Sequence, residues 1–171
     1  PKLVGDRQKP KKSKAGKILP IQKYNITLMS IGFLVPEDSP MIWRGPMVIS
    51  AVNQMLNDVE WGKLDYLVVD MPPGTGDVQL TMAQRVPMSG AVIVSTPQDL
   101  ALIDARKGIE MFKKVNIPIL GIIENMSTFI CPNCKNESHI FGFEGAKLEA
   151  KNQKVDFLGD IPLEIDLREC S

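Results

Sequence analysis

The sequence predicts an α/β fold built on a doubly wound, mostly parallel sheet, and three observations carry that expectation. Short, nearly continuous apolar runs recur at 65–70, 91–96, 117–123 and 155–158, as strands buried on both faces require. Between them lie segments whose apolar residues repeat at the helical period, and strands alternating with amphipathic helices define a parallel, doubly wound sheet. The 171 residues, 44% of them hydrophobic, suffice for one domain with a real core.

Taken in order, residues 7–17 form a basic stretch punctuated by proline and glycine, with Lys9, Lys11, Lys12, Lys14 and Lys17 around Pro10 and Gly16. A solvated surface loop is the plain expectation, and a targeting or membrane-surface role is the other. Residues 18–34 are rich in β-branched side chains and alternate in part at Ile26, Leu28 and Ser30, which predicts one or two strands. Gly45-Pro46 opens a helix, because proline at the first helical position loses no hydrogen bond. Val48, Ile49, Val52, Met55, Leu56 and Val59 then form its apolar stripe. A second helix is expected from Asp99, as N-cap, to Val115. In such sheets ligands bind beyond the carboxyl ends of the strands, which here selects residues 70–77, 96–99, 124–134 and 159–163.

The 20 basic and 20 acidic residues cancel, which argues against an electrostatic nucleic-acid binder. No apolar run reaches the ~18 residues of a membrane-spanning helix. The first residues are neither a secretory signal nor an arginine-rich transit peptide. Three cysteines make no disulfide framework in a chain of this size and point to a reducing compartment.

Four segments can carry chemistry. In Asp70-Met71-Pro72-Pro73-Gly74-Thr75-Gly76-Asp77, a carboxylate ends an apolar run and a Pro/Gly loop follows at once. That is the arrangement of an aspartate holding Mg²⁺ through its water shell, beside a loop able to sense a γ-phosphate. A strand ending in an ordinary turn has the same composition. Cys131-Pro132-Asn133-Cys134 brings two thiols within reach of one soft metal centre. A redox pair, a zinc site completed by His139 and Cys170, a cluster completed by a second copy, and a plain structural pair all remain open. Asn125, after the apolar run, has the amide donor and acceptor needed to read a base edge, and asparagine is equally an ordinary turn residue. Trp43 reads as a packing residue, and Arg44 as a surface charge or a phosphate or partner contact.

Together these segments resemble the Mrp/ApbC-type iron–sulfur carrier group of P-loop ATPases, in the class of the partition and septum-placement ATPases and nitrogenase iron protein. The resemblance rests on MIWRGPM (41–47), LDYLVVDMPPGTGDVQLTMAQ (64–84), GAVIVSTPQDLALIDARKGIEMF (90–112), PILGIIENMS (118–127), CPNC (131–134), IFG (140–142) and LGDIPL (158–163). The wording SIGFLVPEDSPMIWRGPM and CPNCKNESHIFG is most similar to the mitochondrial branch, which serves respiratory complex I.

The resemblance implies roles residue by residue. Asp70 resembles the catalytic Walker B aspartate, and Pro72, Gly74, Gly76 and Asp77 fall in switch II. Asn125 resembles the adenine-contacting residue, and Pro162 lies in the segment lining the base. Cys131 and Cys134 resemble the ligands of a [4Fe–4S] cluster bridging a homodimer. The implied cofactors are the cluster, ATP and Mg²⁺, and the implied partners are apo iron–sulfur proteins, with no nucleic acid and no integral membrane segment. The implied activity is ATP-dependent cluster delivery in the mitochondrial matrix, with the cytoplasm as the alternative location. A partition-type ATPase and a non-enzymatic zinc-bound scaffold compete with it. One departure is plain: the group's Gly-Lys-Ser or Gly-Lys-Thr phosphate loop is missing, since Gly16-Lys17 is followed by Ile18 and Gly62-Lys63 by Leu64. The sequence therefore reads as a single partial P-loop NTPase domain over 1–171, cut at both ends, with a basic surface loop at 1–17 and a cluster-binding segment at 125–142. This stretch alone is expected not to hydrolyse ATP.

Overall fold

The computed structural model describes residues 9–34, 45–71 and 76–165. They fall into two compact units, one ending at Met71 and the other beyond it.

The first unit opens on a tight turn. Lys12 and Ile18 form an antiparallel bridge, and Ser13 N–H donates to the Lys17 carbonyl at 2.7 Å. The basic stretch is thus exposed, as expected, but closed by its own backbone bonds. Strand β1 (Ile21–Lys23) then pairs antiparallel with β2 (Ile26–Leu28), so the one or two strands expected for this region are two, joined as a hairpin. Tyr24 and Asn25 take positive φ of 53° and 60°, the two-residue turn that matches strand twist. A single helical turn, α1 (Ile31–Leu34), follows, and the Ser30 hydroxyl accepts a bond from Gly32 N–H at its start. Helix α2 (Gly45–Asn57) begins at the expected Gly45-Pro46 and turns the expected stripe inward. Its Val52 is buried, as are Ile18, Phe33 and Val59 of the same unit. Ile18 is tied to the end of α2 by two 2.8 Å bonds, from its N–H to the Asp58 carbonyl and from Glu60 N–H to its own carbonyl.

One expectation for this unit fails. Residues 65–70 form no strand, and Tyr66 and Val68 are 89% and 91% exposed. The apolar pattern there is that of a buried strand, but a strand exists only through its ladder, and none of the described residues pairs with this segment. Trp43 and Arg44 lie outside the described residues.

The second unit is the α/β part. It begins with α3 (Asp77–Arg85), followed by β3 (Ala91–Ser95), α4 (Asp99–Lys114), β4 (Ile119–Ile130), β5 (Glu137–Ser138), α5 (Gly145–Gln153) and β6 (Phe157–Leu163). Strand β4 is central, parallel to β3 on one side and to β6 on the other. The short β5 returns antiparallel along the far end of β4. Helix α4 packs on β3 and α5 on β4. Ile109 and Ile122, both with no exposed surface, anchor this core together with Ala146.

Three details differ from the sequence reading. Strand β3 is buried on one face only: Ala91, Ile93 and Ser95 point in, while Val92 and Val94 are 44% and 58% exposed. The burial alternates strictly, so the helices of this unit cover a single face of that strand. The N-cap of α4 is Gln98, without a side-chain bond, and Asp99 sits in the first turn, where its charge still favours the helix dipole. The last strand begins at Phe157 and runs five residues past the expected end at 158.

Candidate functional site

The two cysteines of the Cys-x-x-Cys segment sit at the tip of a hairpin that grows out of the sheet. Strand β4 runs on past the core, and its Phe129 and Ile130 pair with Ser138 and Glu137 of β5. The six residues between are closed by bonds from Cys131 N–H to the Asn136 carbonyl, 3.0 Å, and from Lys135 N–H to the Cys131 carbonyl, 2.9 Å. Lys135 takes φ of 58°, the left-handed step that turns the chain back after the second cysteine. Both thiols are free, Cys134 exposed and Cys131 half-buried. Backbone N–H groups of Cys134 and then Asn133 are directed at the Cys131 sulfur, and with the Cys134 thiol and the Lys135 charge they hold it below the usual cysteine range. These groups favour the thiolate, the form that ligates a soft metal.

Among the described residues no three His, Cys, Asp or Glu side chains gather into a metal site. His139 Nδ1 lies 3.3 Å from the Ser127 carbonyl, and its ring meets Phe143 edge to face at 4.5 Å. Cys170 lies outside the described residues. Among the described residues the donors at the hairpin tip are the two sulfurs, which fits a centre whose other ligands come from elsewhere.

A polar brace stands behind the hairpin. The Ser127 hydroxyl donates to Asp160 Oδ2 of β6 at 2.9 Å. Glu124, 3% exposed, reaches the start of α5, where its Oε2 accepts the Ala146 N–H at 2.7 Å. A carboxylate is favoured at that position by the orphan N–H groups and dipole of the helix. Gly145 lets α5 start so close to the chain before α4: a Cβ there would lie 2.6 Å from the Pro97 carbonyl oxygen. Neither this brace nor helix α5 was anticipated from sequence. The carboxylate ending the 117–123 run was the available signal for Glu124.

Six residues before Cys131, within β4, Asn125 marks a break. Its Oδ1 accepts the N–H of Met126, which has φ of 56°, and the pairing with β6 shifts register between Asn125 and Phe129. The side-chain NH₂ and the second oxygen lone pair remain as one donor and one acceptor. Asn125 pairs with Ile161, so Pro162, the next residue of β6, lies beside it at the carboxyl ends of the strands. The fold thus brings Asn125 and Pro162 together, and Cys131 with Cys134. Gly76 is the N-cap of α3, and Asp77 its first residue. Asp70 belongs to the first unit and is exposed, while Pro72 and Gly74 lie outside the described residues.

The site thus consists of an α/β sheet with Asn125 and Pro162 at its strand ends and a thiol pair on a protruding hairpin, an arrangement found in the P-loop α/β class. The chain belongs to the ParA-group family described as NUBPL iron-transfer P-loop NTPase, which matches residues 1–171. Among its relatives, the iron-sulfur cluster transfer protein NUBPL of Mus musculus is 56% identical over 100% of this chain and 54% of its own length. The mitochondrial iron-sulfur protein required for NADH dehydrogenase of Arabidopsis thaliana is 53% identical over 100% of this chain and 55% of its own length. The iron-sulfur cluster carrier protein of Escherichia coli (strain K12) is 52% identical over 99% of this chain and 46% of its own length. The chain spans about half the length of these curated relatives. A solved nucleotide-binding protein of Archaeoglobus fulgidus, in complex with ADP, superposes with a TM-score of 0.77 at 38% identity, covering 95% of this chain and 63% of that one. The expected P-loop α/β class and family are thereby borne out.

Proposed function

We propose that this chain is part of an ATP-dependent iron–sulfur cluster carrier that holds a [4Fe–4S] cluster between two copies and delivers it to apoproteins, respiratory complex I subunits among them, in the mitochondrial matrix. The observation that carries the reading is the exposed hairpin with its two thiols, in a chain of an iron-transfer family. A cubane cluster takes four thiolates and each hairpin offers two, so a two-fold pair of hairpins completes the ligand set. The cluster is cargo. Ligands at an exposed tip can be exchanged for those of a client one at a time, with no change of oxidation state required.

Asn125 and Pro162 are assigned to the adenine, Asp70 to Mg²⁺ through its water shell, and Pro72, Gly74, Gly76 and Asp77 to the loop that responds to the γ-phosphate. The mitochondrial relative from Arabidopsis supports the location, and the mouse and bacterial names support the cargo.

Anaerobic reconstitution of the full-length protein tests the reading. About four irons and four sulfides per dimer are expected, lost in Cys131→Ser and in Cys134→Ser and kept in Cys170→Ser and His139→Ala. One zinc per monomer that disappears with His139→Ala, or a cluster that survives Cys131→Ser, overturns it.

A further inference from the structure

We propose that the two successive turns of residues 11–26 form a docking surface for an anionic lipid bilayer, a property separate from cluster carriage. Between residues 9 and 34 the chain has six lysines and no acidic residue, so the rest of a chain with no net charge carries six excess negative charges. The positive charge is concentrated on one ordered stretch.

Geometry makes that stretch a platform and not a loose tail. The first turn is closed by the Lys12–Ile18 bridge and by Leu19 N–H to the Lys11 carbonyl at 2.8 Å, and it displays Lys11, Lys12, Lys14 and Lys17 to solvent. Pro20 leads directly into the β1–β2 hairpin, whose tip presents Tyr24, 70% exposed, with the Lys23 ammonium 5.3 Å from its ring centroid. Ile26 beside it is 54% exposed and Leu19 37%. Exposed lysines on a backbone closed by its own bonds, interleaved with an aromatic and two aliphatic side chains, match the headgroup zone, where lysines meet lipid phosphates and the apolar parts enter the acyl boundary.

Charge also separates the bilayer from a nucleic acid. A plane needs only one compact basic stretch, whereas a nucleic-acid strand must be followed by basic groups along a groove, and the rest of this chain is net acidic.

The test is flotation of the full chain with phosphatidylcholine vesicles, with and without phosphatidylglycerol, a readout in which aggregated protein stays at the bottom. The chain is expected to float only with the anionic vesicles and to be released at ~0.5 M salt, where screening is short-ranged. Each lysine at such a surface is worth about fivefold in partition, so Lys11→Gln/Lys12→Gln/Lys14→Gln/Lys17→Gln lowers it at least about a hundredfold. Tyr24→Ser/Ile26→Ser lowers it about three- to tenfold and leaves the salt response in place. Circular dichroism checks that both variants keep the wild-type fold. Equal flotation with neutral vesicles, no flotation with anionic ones, an unchanged quadruple variant, or displacement from anionic vesicles by equimolar duplex DNA overturns the proposal.

Discussion

Replacing Glu124 probes the brace between the sheet and α5 most directly. The carboxylate is 3% exposed and holds the Ala146 N–H at 2.7 Å, and Ala146 itself has no exposed surface. In Glu124→Ala that N–H loses its partner where water has no access, which costs about 1–3 kcal/mol. Loss of a negative charge at a helix N-terminus adds about 1 kcal/mol. The expected total is about 2–4 kcal/mol, and each kcal/mol moves Tm by about 2–4 °C in a chain of this length. Glu124→Gln keeps an oxygen acceptor and loses only the charge, so it is expected to cost about 1 kcal/mol. Denaturant titration measures both variants, and amide exchange at Ala146 localises the effect. Protection there falls strongly in Glu124→Ala and slightly in Glu124→Gln. If the glutamine variant is as unstable as the alanine one, or more stable than wild type, the capping account is wrong.

Two further outcomes follow from the same region. Glu149, 2% exposed, is held below the usual carboxylate range chiefly by the Arg106 guanidinium at 2.7 Å and further by the Gln153 amide. A lowered folded-state value means its contribution is present above the unfolded pKa and lost as pH falls through the folded one, so Glu149→Gln is expected to flatten the acid limb of a stability–pH profile. An unchanged acid slope counts against the pairing. Gly145→Ala places a methyl 2.6 Å from the Pro97 carbonyl oxygen and is expected to destabilise by about 1–3 kcal/mol in a denaturant titration. A neutral result shows that α5 can move off at little cost.

The legible parts of the fold were those with local causes. Helix α2 announced itself through Gly45-Pro46 and an unbroken stripe, and β3 and β4 through apolar runs of strand length. The cysteine pair stands out in the sequence because two thiols at that spacing can reach one centre, and its place at a hairpin tip was not foreseen. The 65–70 run looked the same as β3 in composition, yet it pairs with none of the described residues. Pattern records what a segment can bury, not whether a neighbour is there to bury it. Helix α5 was missed because its weak stripe depends on contacts that sequence spacing does not show: Glu124 across the sheet, and the approach to Pro97 at Gly145. The extension of β4 to Ile130 was hidden by its break at Met126, where a left-handed residue interrupts the alternation.

The brevity of β5 has a consequence for any protein that meets the cysteines. A hairpin projecting from a sheet carries an outer edge of backbone donors and acceptors, and such an edge recruits foreign strands into a continuous ladder. Here that edge is two residues long, Glu137 and Ser138, with a carboxylate on the first and the Lys135 ammonium just before it. It is too short and too charged to template a further strand. Under the proposed carrier reading, encounters at the tip would then end in ligand exchange at sulfur and separation, not in fusion of two sheets.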